Sequence, residues 1–368
     1  MTLAIRTEQS AVAEVLQQMA ALCQFHGASW HPQLEVEELQ GSLRLLAPAC
    51  CSGPLITLPT ALLVPIDGAR WGAGSRALEL LEAPGGITAV QRELLELHIA
   101  LYNATSKISW WSREHPSRLV EQSAAVAEAL VPLKPSWCKH EVSGASVATP
   151  AEAFLATRSF GWRKDAASET QCRMLMPLID LLNHHQRGAP YKLIDQAMVI
   201  EAAQVGDREC FAHYGGRRDV LDLALHYGHF DLSTPFAHTA PLEMAVEGVG
   251  WIRVEQQGRR PPRNPLDPPR VQLEADGLRL SHLCCHLEHP SRARTVLLLA
   301  LRGWLQQRGH AAPEAQRLAQ RGMEELSAAN RQLLDQLARQ CEEADHPGGG
   351  VLAAAARRQA GIIAEVLR

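Results

Sequence analysis

Four short segments rich in polar and aromatic residues lie between residues 154 and 230. They are TRSF at 157–160, PLIDLLNHH at 177–185, HYGG at 213–216 and HYGHF at 226–230. Their guanidinium, carboxylate, amide, imidazole and phenol groups can bind polar ligands or transfer protons. Because each segment alone is a weak signal, its interpretation depends on the elements that position these side chains.

Asp180, Asn183 and His184 follow an apolar segment, which puts three polar groups at the rim of a predicted core. The amide of Asn183 offers both a donor and an acceptor, so it can bind the edge of a purine ring, and His184 can assist. The same residues can instead end a helix and satisfy nearby backbone groups. For this motif alone the structural interpretation is the more common one, and both stay open.

The two Tyr-Gly pairs begin at Tyr214 and Tyr227, thirteen residues apart, with the predicted helix RRDVLDLAL between them. A tyrosine before a glycine is typical of a buried ring followed by a turn. A single tyrosine is therefore more often a core residue than a catalytic one. A functional interpretation depends on all four segments together.

Histidines and cysteines could in principle bind a metal, but their spacing does not favour it. The histidines concerned are His184, His185, His213, His226 and His229. They form no HExxH motif, and the nearby acidic residues complete no recognisable ligand set. The nine cysteines include two adjacent pairs but no CxxC. We therefore expect no metal site, and a reducing, cytoplasmic location for the chain.

Composition limits the class of protein. The 368 residues are 46% apolar and carry a formal net charge of −4, which indicates a globular protein of two or three structural units. The charge argues against a sequence-independent nucleic-acid binder, which needs a basic face. The most apolar run, residues 296–301, is too short to span a bilayer, so neither a nucleic-acid nor a membrane partner is expected.

Periodicity divides the chain into five predicted segments: an N-terminal helix (1–28), a β region (29–75), a helical insert (76–149), a second β region (150–235), and a loop followed by a helical lobe (236–368). Within them, helices are predicted at 5–24, ended by Gly27, and at RALELLEA, residues 76–83. The proline-rich stretch 257–270 is predicted to be an exposed loop. Further helices are predicted at 291–308, 313–343 and 351–367.

Together the four segments resemble the SET-domain methyltransferases, specifically the Rubisco large-subunit methyltransferase class, in which a helical insert splits the SET domain. The family pattern Ser-Arg-Ala-Phe, Pro-x-x-Asp-x-x-Asn-His, Tyr-Gly and Tyr-Gly-Phe is similar to 157–160, 177–184, 214–215 and 227–230. SLRLLAPACCSGPLITLP resembles the opening hairpin of the family, KISWWSREHPSRL part of its insert, and ARRQAGIIAEVLR its closing helix. The resemblance covers nearly the whole chain.

The resemblance implies an α+β protein: a SET-domain β-fold interrupted by a helical insert and followed by an all-α C-terminal lobe that docks a protein substrate. It implies S-adenosyl-L-methionine as cofactor and no metal. The implied roles are adenine binding by Asn183 and His184, cofactor positioning by Arg158, bracing of that loop by Asp180, catalysis by Tyr214, and lining of the acceptor channel by Tyr227.

Three functions remain open from the sequence. The first is N-methylation of a protein lysine, and the second keeps the cofactor but uses a histidine, an N-terminal amine or a small-molecule amine as acceptor. The third is a catalytically silent SET-type interaction module. The retained Asn183-His184 and both tyrosines favour the first two. The resembled family usually has a Gly-x-Gly-like turn at its first strand, and the altered first turn here, Gly41-Ser42-Leu43, favours the third.

Overall fold

The computed structural model describes residues 2–49, 51–74, 76–135, 137, 149–163, 171–215, 218–255 and 264–368. The chain divides into two compact units, the first of residues 1–113 and 148–215 and the second of residues 114–147 and 216–368. Parts of the predicted insert (138–148) and of the predicted proline-rich loop (257–263) lie outside the described residues. No helix in the described ranges is long and apolar enough to cross a membrane.

The first unit is built on short strands. They are β1 (Ala4–Arg6), β2 (Ser29–Trp30), β3 (Glu35–Leu39), β4 (Ser42–Leu46), β5 (Pro54–Pro59), β6 (Val64–Pro65), β7 (Arg70–Trp71), β8 (Leu80–Glu82), β9 (Phe160–Trp162), β10 (Cys172–Leu175), β11 (Asn183–Ala189), β12 (Lys192–Ile194), β13 (Ala197–Glu201) and β14 (Glu209–Ala212). The sheet orders are β1-β3-β4-β14-β11, β12-β13-β5-β2, β6-β10-β9 and β7-β8. The first of these sheets puts the hairpin β3–β4 next to the strands that begin or end at the predicted site.

Helices complete the first unit: α1 (Ser10–Phe25), α2 (Ala89–Ala104), α3 (Lys107–Glu114) at the boundary with the second unit, and α6 (Pro150–Ala156). Both α2 and α6 begin with a capping box, in which Thr88 and Thr149 accept from the backbone three residues on. Short 3₁₀ turns lie at Thr60–Leu62 and Ile179–Leu181. The second of these carries Asp180.

Two predicted helices differ in the structure. The N-terminal helix begins at Ser10 rather than residue 5, because Ala4–Arg6 pairs in parallel with Glu35–Glu37 as a sheet strand. RALELLEA contains β8 instead of a helix, since Leu80–Glu82 pairs with Arg70–Trp71. In both cases strand pairing outweighs local helical preference, with a distant partner for Ala4–Arg6 and a nearby one for Leu80–Glu82.

The second unit contains six more strands and six helices among its described residues. The strands are β15 (Phe236–His238), β16 (Leu242–Val246), β17 (Gly250–Val254), β18 (Val271–Leu273), β19 (Gly277–Leu280) and β20 (Cys284–His286). The helices are α4 (Pro116–Gln122), α5 (Ala124–Leu130), α7 (Val220–Tyr227), α8 (Pro290–Gln307), α9 (Ala312–Glu343) and α10 (Gly349–Val366). Strands pair as β15-β20 and β16-β17-β19-β18.

The predicted α+β class and the helical C-terminal region are confirmed by these elements. The strands between residues 236 and 286 were not predicted, so the all-helical part begins only at Pro290. Each of these strands has three to five residues, too few for an alternating pattern to be distinctive. Apolar faces of α8, α9 and α10 share one buried core with β17 and β19.

The hairpin between β3 and β4 turns tightly at Gln40 and Gly41, whose φ angles are 52° and 78°. Two consecutive positive φ values are typical of a two-residue hairpin turn. A Cβ on Gly41 would lie 2.7 Å from the carbonyl oxygen of Thr105, which follows α2. The altered first turn is therefore packed closely against the chain that leads into α3.

Gly41→Ala should destabilise the first unit more than Gly53→Ala. Both glycines have a positive φ, which disfavours alanine by roughly 1–2 kcal/mol. Only at Gly41 would the methyl group also meet backbone, since nothing lies within 4 Å of a Cβ on Gly53. Denaturant midpoints of the two variants measure the difference, and equal losses would show that the close approach to Thr105 does not constrain the turn.

Candidate functional site

Five of the six predicted site residues belong to the first unit: Arg158, Asp180, Asn183, His184 and Tyr214. Tyr227 belongs to the second unit. The four segments singled out in the sequence are thus divided between the units, with TRSF, PLIDLLNHH and the first Tyr-Gly pair in one and HYGHF in the other. The candidate site described below is therefore the group of five residues in the first unit.

His184 and Tyr214 belong to one hydrogen-bonded group. The backbone N–H of Tyr214 donates to Nδ1 of His184 at 3.1 Å, and their ring centroids are 5.1 Å apart. The Tyr214 hydroxyl donates to the carbonyl oxygen of Leu182 at 2.5 Å. Parallel pairing of β11 with β14 sets His184 beside Ala212, which brings the start of one strand against the end of the other. The Asn-His motif and the first Tyr-Gly pair are therefore neighbours in space.

Asn183 connects this group to the first hairpin. Its Nδ2 donates to Oε1 of Glu209 at 2.8 Å and lies 3.5 Å from the carbonyl oxygen of Leu43 on β4. The other carboxylate oxygen of Glu209 is 3.6 Å from the guanidinium of Arg44, which also pairs with Glu37 on β3. A charged network thus fixes the orientation of the Asn183 amide. Sequence reasoning did not predict Glu209, because nothing in its local pattern marks it.

Asp180 is buried, and two side chains of α2 contact the same carboxylate oxygen. The Tyr102 hydroxyl donates to Oδ2 at 2.8 Å, and Nε2 of His98 lies 3.1 Å from it. Oδ1 is buried and has no hydrogen-bond partner among the described residues. The predicted bracing role of Asp180 thus acquires two specific partners that the sequence did not reveal.

The pKa values in this group follow from burial and charge. Burial favours neutral His98, but the adjacent Asp180 carboxylate outweighs burial and raises the pKa of His98 above its ordinary value. Burial and the same carboxylate raise the pKa of Tyr102 well above 10, so this phenol stays protonated as a donor. The proximity of Asp180 thus favours the protonated forms of both His98 and Tyr102.

The backbone before Asp180 is strained. Leu178 is buried and has φ 65° and ψ −36°, outside the regions that a branched side chain normally adopts. Such a residue costs about 1–3 kcal/mol and persists only where its surroundings hold it. The contacts of Asp180 with α2 supply that restraint two residues later. Strain of this kind is common at binding and catalytic sites.

Two cations, Arg158 and Lys107, approach the same region. Arg158 follows α6, its guanidinium carbon lies 5.6 Å from the centroid of the Phe154 ring, and its Nε is buried with no hydrogen-bond partner among the described residues. The Lys107 ammonium lies 3.4 Å from the Ser42 hydroxyl of the first hairpin. Burial first, and then the positive charge of Arg158, lower the pKa of Lys107 to about 8. Lys107 was not predicted as a site residue.

Tyr227, in the second unit, ends α7 before Gly228, which has a positive φ of 71°. The Arg218 guanidinium donates to its hydroxyl and lies 4.9 Å from its ring centroid. Burial and Arg218 lower the pKa of the neighbouring His226 to about 4, so that imidazole is neutral near pH 7. Tyr227 thus sits beside a fixed positive charge rather than in a purely aromatic environment.

The first-unit site can bind a polar ligand without a metal. Among the described residues, no group of three or more histidine, cysteine or acidic side chains could hold a metal ion. His184 accepts a hydrogen bond from the backbone of Tyr214. What remains is an amide, an imidazole, a phenol and buried charged atoms, which together can recognise a polar molecule carrying both signs of charge.

No family model matches the chain, and no curated protein matches it by sequence. Two solved structures are similar to it: crystal structures of the SET domain of LSMT bound to AdoHcy with methyl-lysine or with lysine. Identity is 13% and 12%, and the TM-score is 0.44 and 0.45, respectively. Each alignment covers 96% of this chain and 90% of the other. Similarity at this level does not determine what this chain binds.

Lys107 should titrate well below an ordinary lysine, whose pKa is about 10.4. Competitive acylation across a pH series, read by mass spectrometry of the lysine peptides, should give a midpoint near 8 for Lys107. A Lys107→Arg variant assigns its peptide, and Lys192, paired with Glu201 at 2.8 Å, serves as the internal reference. A Lys107 midpoint at the ordinary lysine value would contradict the burial and the Arg158 proximity.

Proposed function

We propose that this chain is a SET-type methyltransferase that binds S-adenosyl-L-methionine in its first unit and methylates an amine, most specifically a lysine of a protein substrate. The observation that carries the proposal is that Tyr214 donates from its backbone to His184, next to Asn183, whose amide is held by Glu209 on the paired strand β14. These residues come from segments thirty positions apart, and local helix capping does not account for their meeting. The proposed roles are adenine binding for Asn183 and His184, and catalysis for Tyr214.

The buried atoms near Asp180 fit the amino-acid end of this cofactor. Nε of Arg158 and Oδ1 of Asp180 carry opposite charge character, and neither has a hydrogen-bond partner among the described residues. Both side chains act on Tyr102, whose pKa responds to Asp180 and to Arg158. An amino-acid group offers a carboxylate and an ammonium, which complement such a pair. We propose that Arg158 and Asp180 position the cofactor in this way.

When bound, the cofactor supplies a methyl group already activated by a sulfonium, so the chain mainly has to orient the reacting groups. The Tyr214 hydroxyl donates a hydrogen bond to the carbonyl oxygen of Leu182, and its oxygen is proposed to accept weak C–H···O contacts from a polarised methyl group. Methyl transfer needs a neutral amine, and a partly desolvated site favours that form. Tyr227 is proposed to line the acceptor channel.

We also propose a protein substrate docked on the C-terminal helices α8 to α10, and a reducing, cytoplasmic location. The family resemblance supports the docking role. The location is supported by six described cysteines that form no disulfide: Cys23, Cys172, Cys210, Cys284, Cys285 and Cys341. A protein-interaction module without catalysis would share the same docking surface and is the alternative outcome of an activity assay.

The proposal is tested by incubating the purified chain with methyl-labelled S-adenosyl-L-methionine and arrays of lysine-containing peptides and intact proteins. Label on an acceptor lysine, together with release of S-adenosylhomocysteine, supports the proposed reaction. Label on a histidine or an N-terminal amine would keep the cofactor and change the acceptor. No transfer to any acceptor despite cofactor binding would favour the interaction module.

Tyr214→Phe should slow methyl transfer by about tenfold or more, equivalent to ~1.4 kcal/mol of transition-state stabilisation, while cofactor affinity stays nearly unchanged. The reason is that the variant removes only the hydroxyl that is proposed to contact the methyl group. Tyr191→Phe, on another tyrosine of the same unit, is the matched control. Single-turnover rates measure the effect, and a rate equal to that of the control would remove Tyr214 from its catalytic role.

Asn183→Ala should weaken cofactor binding by about 1–3 kcal/mol, because it removes a half-buried hydrogen-bonding group and leaves Glu209 without its amide partner. Equilibrium binding of S-adenosylhomocysteine measures the loss. Asn264→Ala, at an exposed asparagine of the second unit, is the control. Unchanged affinity in Asn183→Ala would mean that the Asn-His motif is structural.

A further inference from the structure

His98 is a buried titratable residue to which the proposed reaction assigns no role. It lies in the interior of α2, with no side-chain exposure, one turn before Tyr102. A histidine at this depth is unusual unless both ring nitrogens find partners. Its surroundings connect it directly to the candidate site through Asp180.

The contacts of His98 indicate that both ring nitrogens carry hydrogen. Nδ1 lies 2.7 Å from the carbonyl oxygen of Leu94, which can only accept, so Nδ1 must be an N–H. Nε2 lies 3.1 Å from the carboxylate of Asp180, where a bare lone pair would be repelled. Nε2 and Asp180 are in ion-pair contact without the alignment of a hydrogen bond. A protonated imidazolium donates from Nδ1 to Leu94 and compensates the buried charge of Asp180 through its own positive charge.

Asp180 transmits this contact to the site. It sits on the 3₁₀ turn Ile179–Leu181, which follows the strained Leu178. The next residue, Leu182, provides the carbonyl oxygen that accepts from the Tyr214 hydroxyl, and Asn183 follows it. Releasing Asp180 from α2 would therefore free the turn that sets the positions of Tyr214 and Asn183.

Few other charged or titratable groups face this pair among the described residues. Tyr102 shares the same carboxylate oxygen from α2, and Cys23 on α1 has its pKa raised to about 12, chiefly by burial and also by Asp180. Arg158, after α6, acts on Tyr102, as does Tyr214 after β14. The raised pKa values of Tyr102 and Cys23 keep both groups protonated and neutral across the range of pH 6 to 9.

We propose that His98 is a positioning residue that, as an imidazolium, holds Asp180 and with it the turn that orients Asn183 and Tyr214, so that cofactor binding weakens when His98 loses its proton. This inference rests on the proposed function. The folded structure raises the pKa of His98, so the protonated, binding-competent form is complete below about 6.5, the ordinary value. It is lost as the pH rises through the raised pKa.

The test is calorimetric titration with S-adenosylhomocysteine at half-unit steps from pH 6 to pH 9. Lys107 also loses charge in this range, so all proteins carry Lys107→Arg, which keeps a positive charge at that position. With His98 present, the dissociation constant should rise with pH, approaching about tenfold per unit once the imidazole is mostly neutral. With His98→Gln added, binding should be weak and independent of pH. His31→Gln, at a half-buried histidine of the same unit, should leave the profile unchanged.

The outcomes separate the inference from the proposed function. Binding that is flat with pH, or that falls in parallel with and without His98, overturns the role of His98 and leaves the cofactor site standing. No binding by any protein at any pH overturns the proposed function and the inference with it. If His98→Gln fails to fold, the His98→Gln/Asp180→Asn double variant removes both charges together. The dissociation constant of this double variant should not change with pH, and a dissociation constant that still rises with pH contradicts the proposal.

Discussion

Burying the carboxylate of Asp180 requires compensation, because an unpaired charge in the interior costs several kcal/mol. His98 and Tyr102 provide it from successive turns of α2, at 3.1 Å and 2.8 Å from the same oxygen. The turn that carries Asp180 is thereby fixed to a helix, although its backbone is strained at Leu178. The positions of Leu182, and then of the strand that starts at Asn183, follow from that attachment.

The candidate site grows outward from this buried pair. Tyr214 is held by its hydroxyl to Leu182 and by its backbone to His184, and the Asn183 amide is held by Glu209. Asn183 and His184 lie on β11 and Glu209 lies on β14, and the sheet order β3-β4-β14-β11 joins these strands to the first hairpin. Side chains already held by hydrogen bonds lose less entropy when a ligand binds.

The sequence was informative where residues with suitable chemistry lie close together along the chain. Asn183 and His184 are adjacent, and the Tyr-Gly pair marks a turn, so their grouping could be predicted. The partners that fix them could not, since Tyr102 lies 78 positions from Asp180 and Glu209 lies 26 positions from Asn183. Local pattern also misassigned residues 76–83 and the start of α1, where sheet pairing outweighs helical periodicity. The strands of 236–286 are too short for their alternation to be distinctive.

The most direct test of the central claim is calorimetric titration of the unmodified chain with S-adenosyl-L-methionine and S-adenosylhomocysteine near neutral pH, with folding checked by circular dichroism. We expect saturable binding of both compounds at one site per chain, and we expect each compound to compete with the other. Correctly folded protein that binds neither compound would contradict a cofactor site in the first unit and leave the Asn183, His184 and Tyr214 group a structural feature.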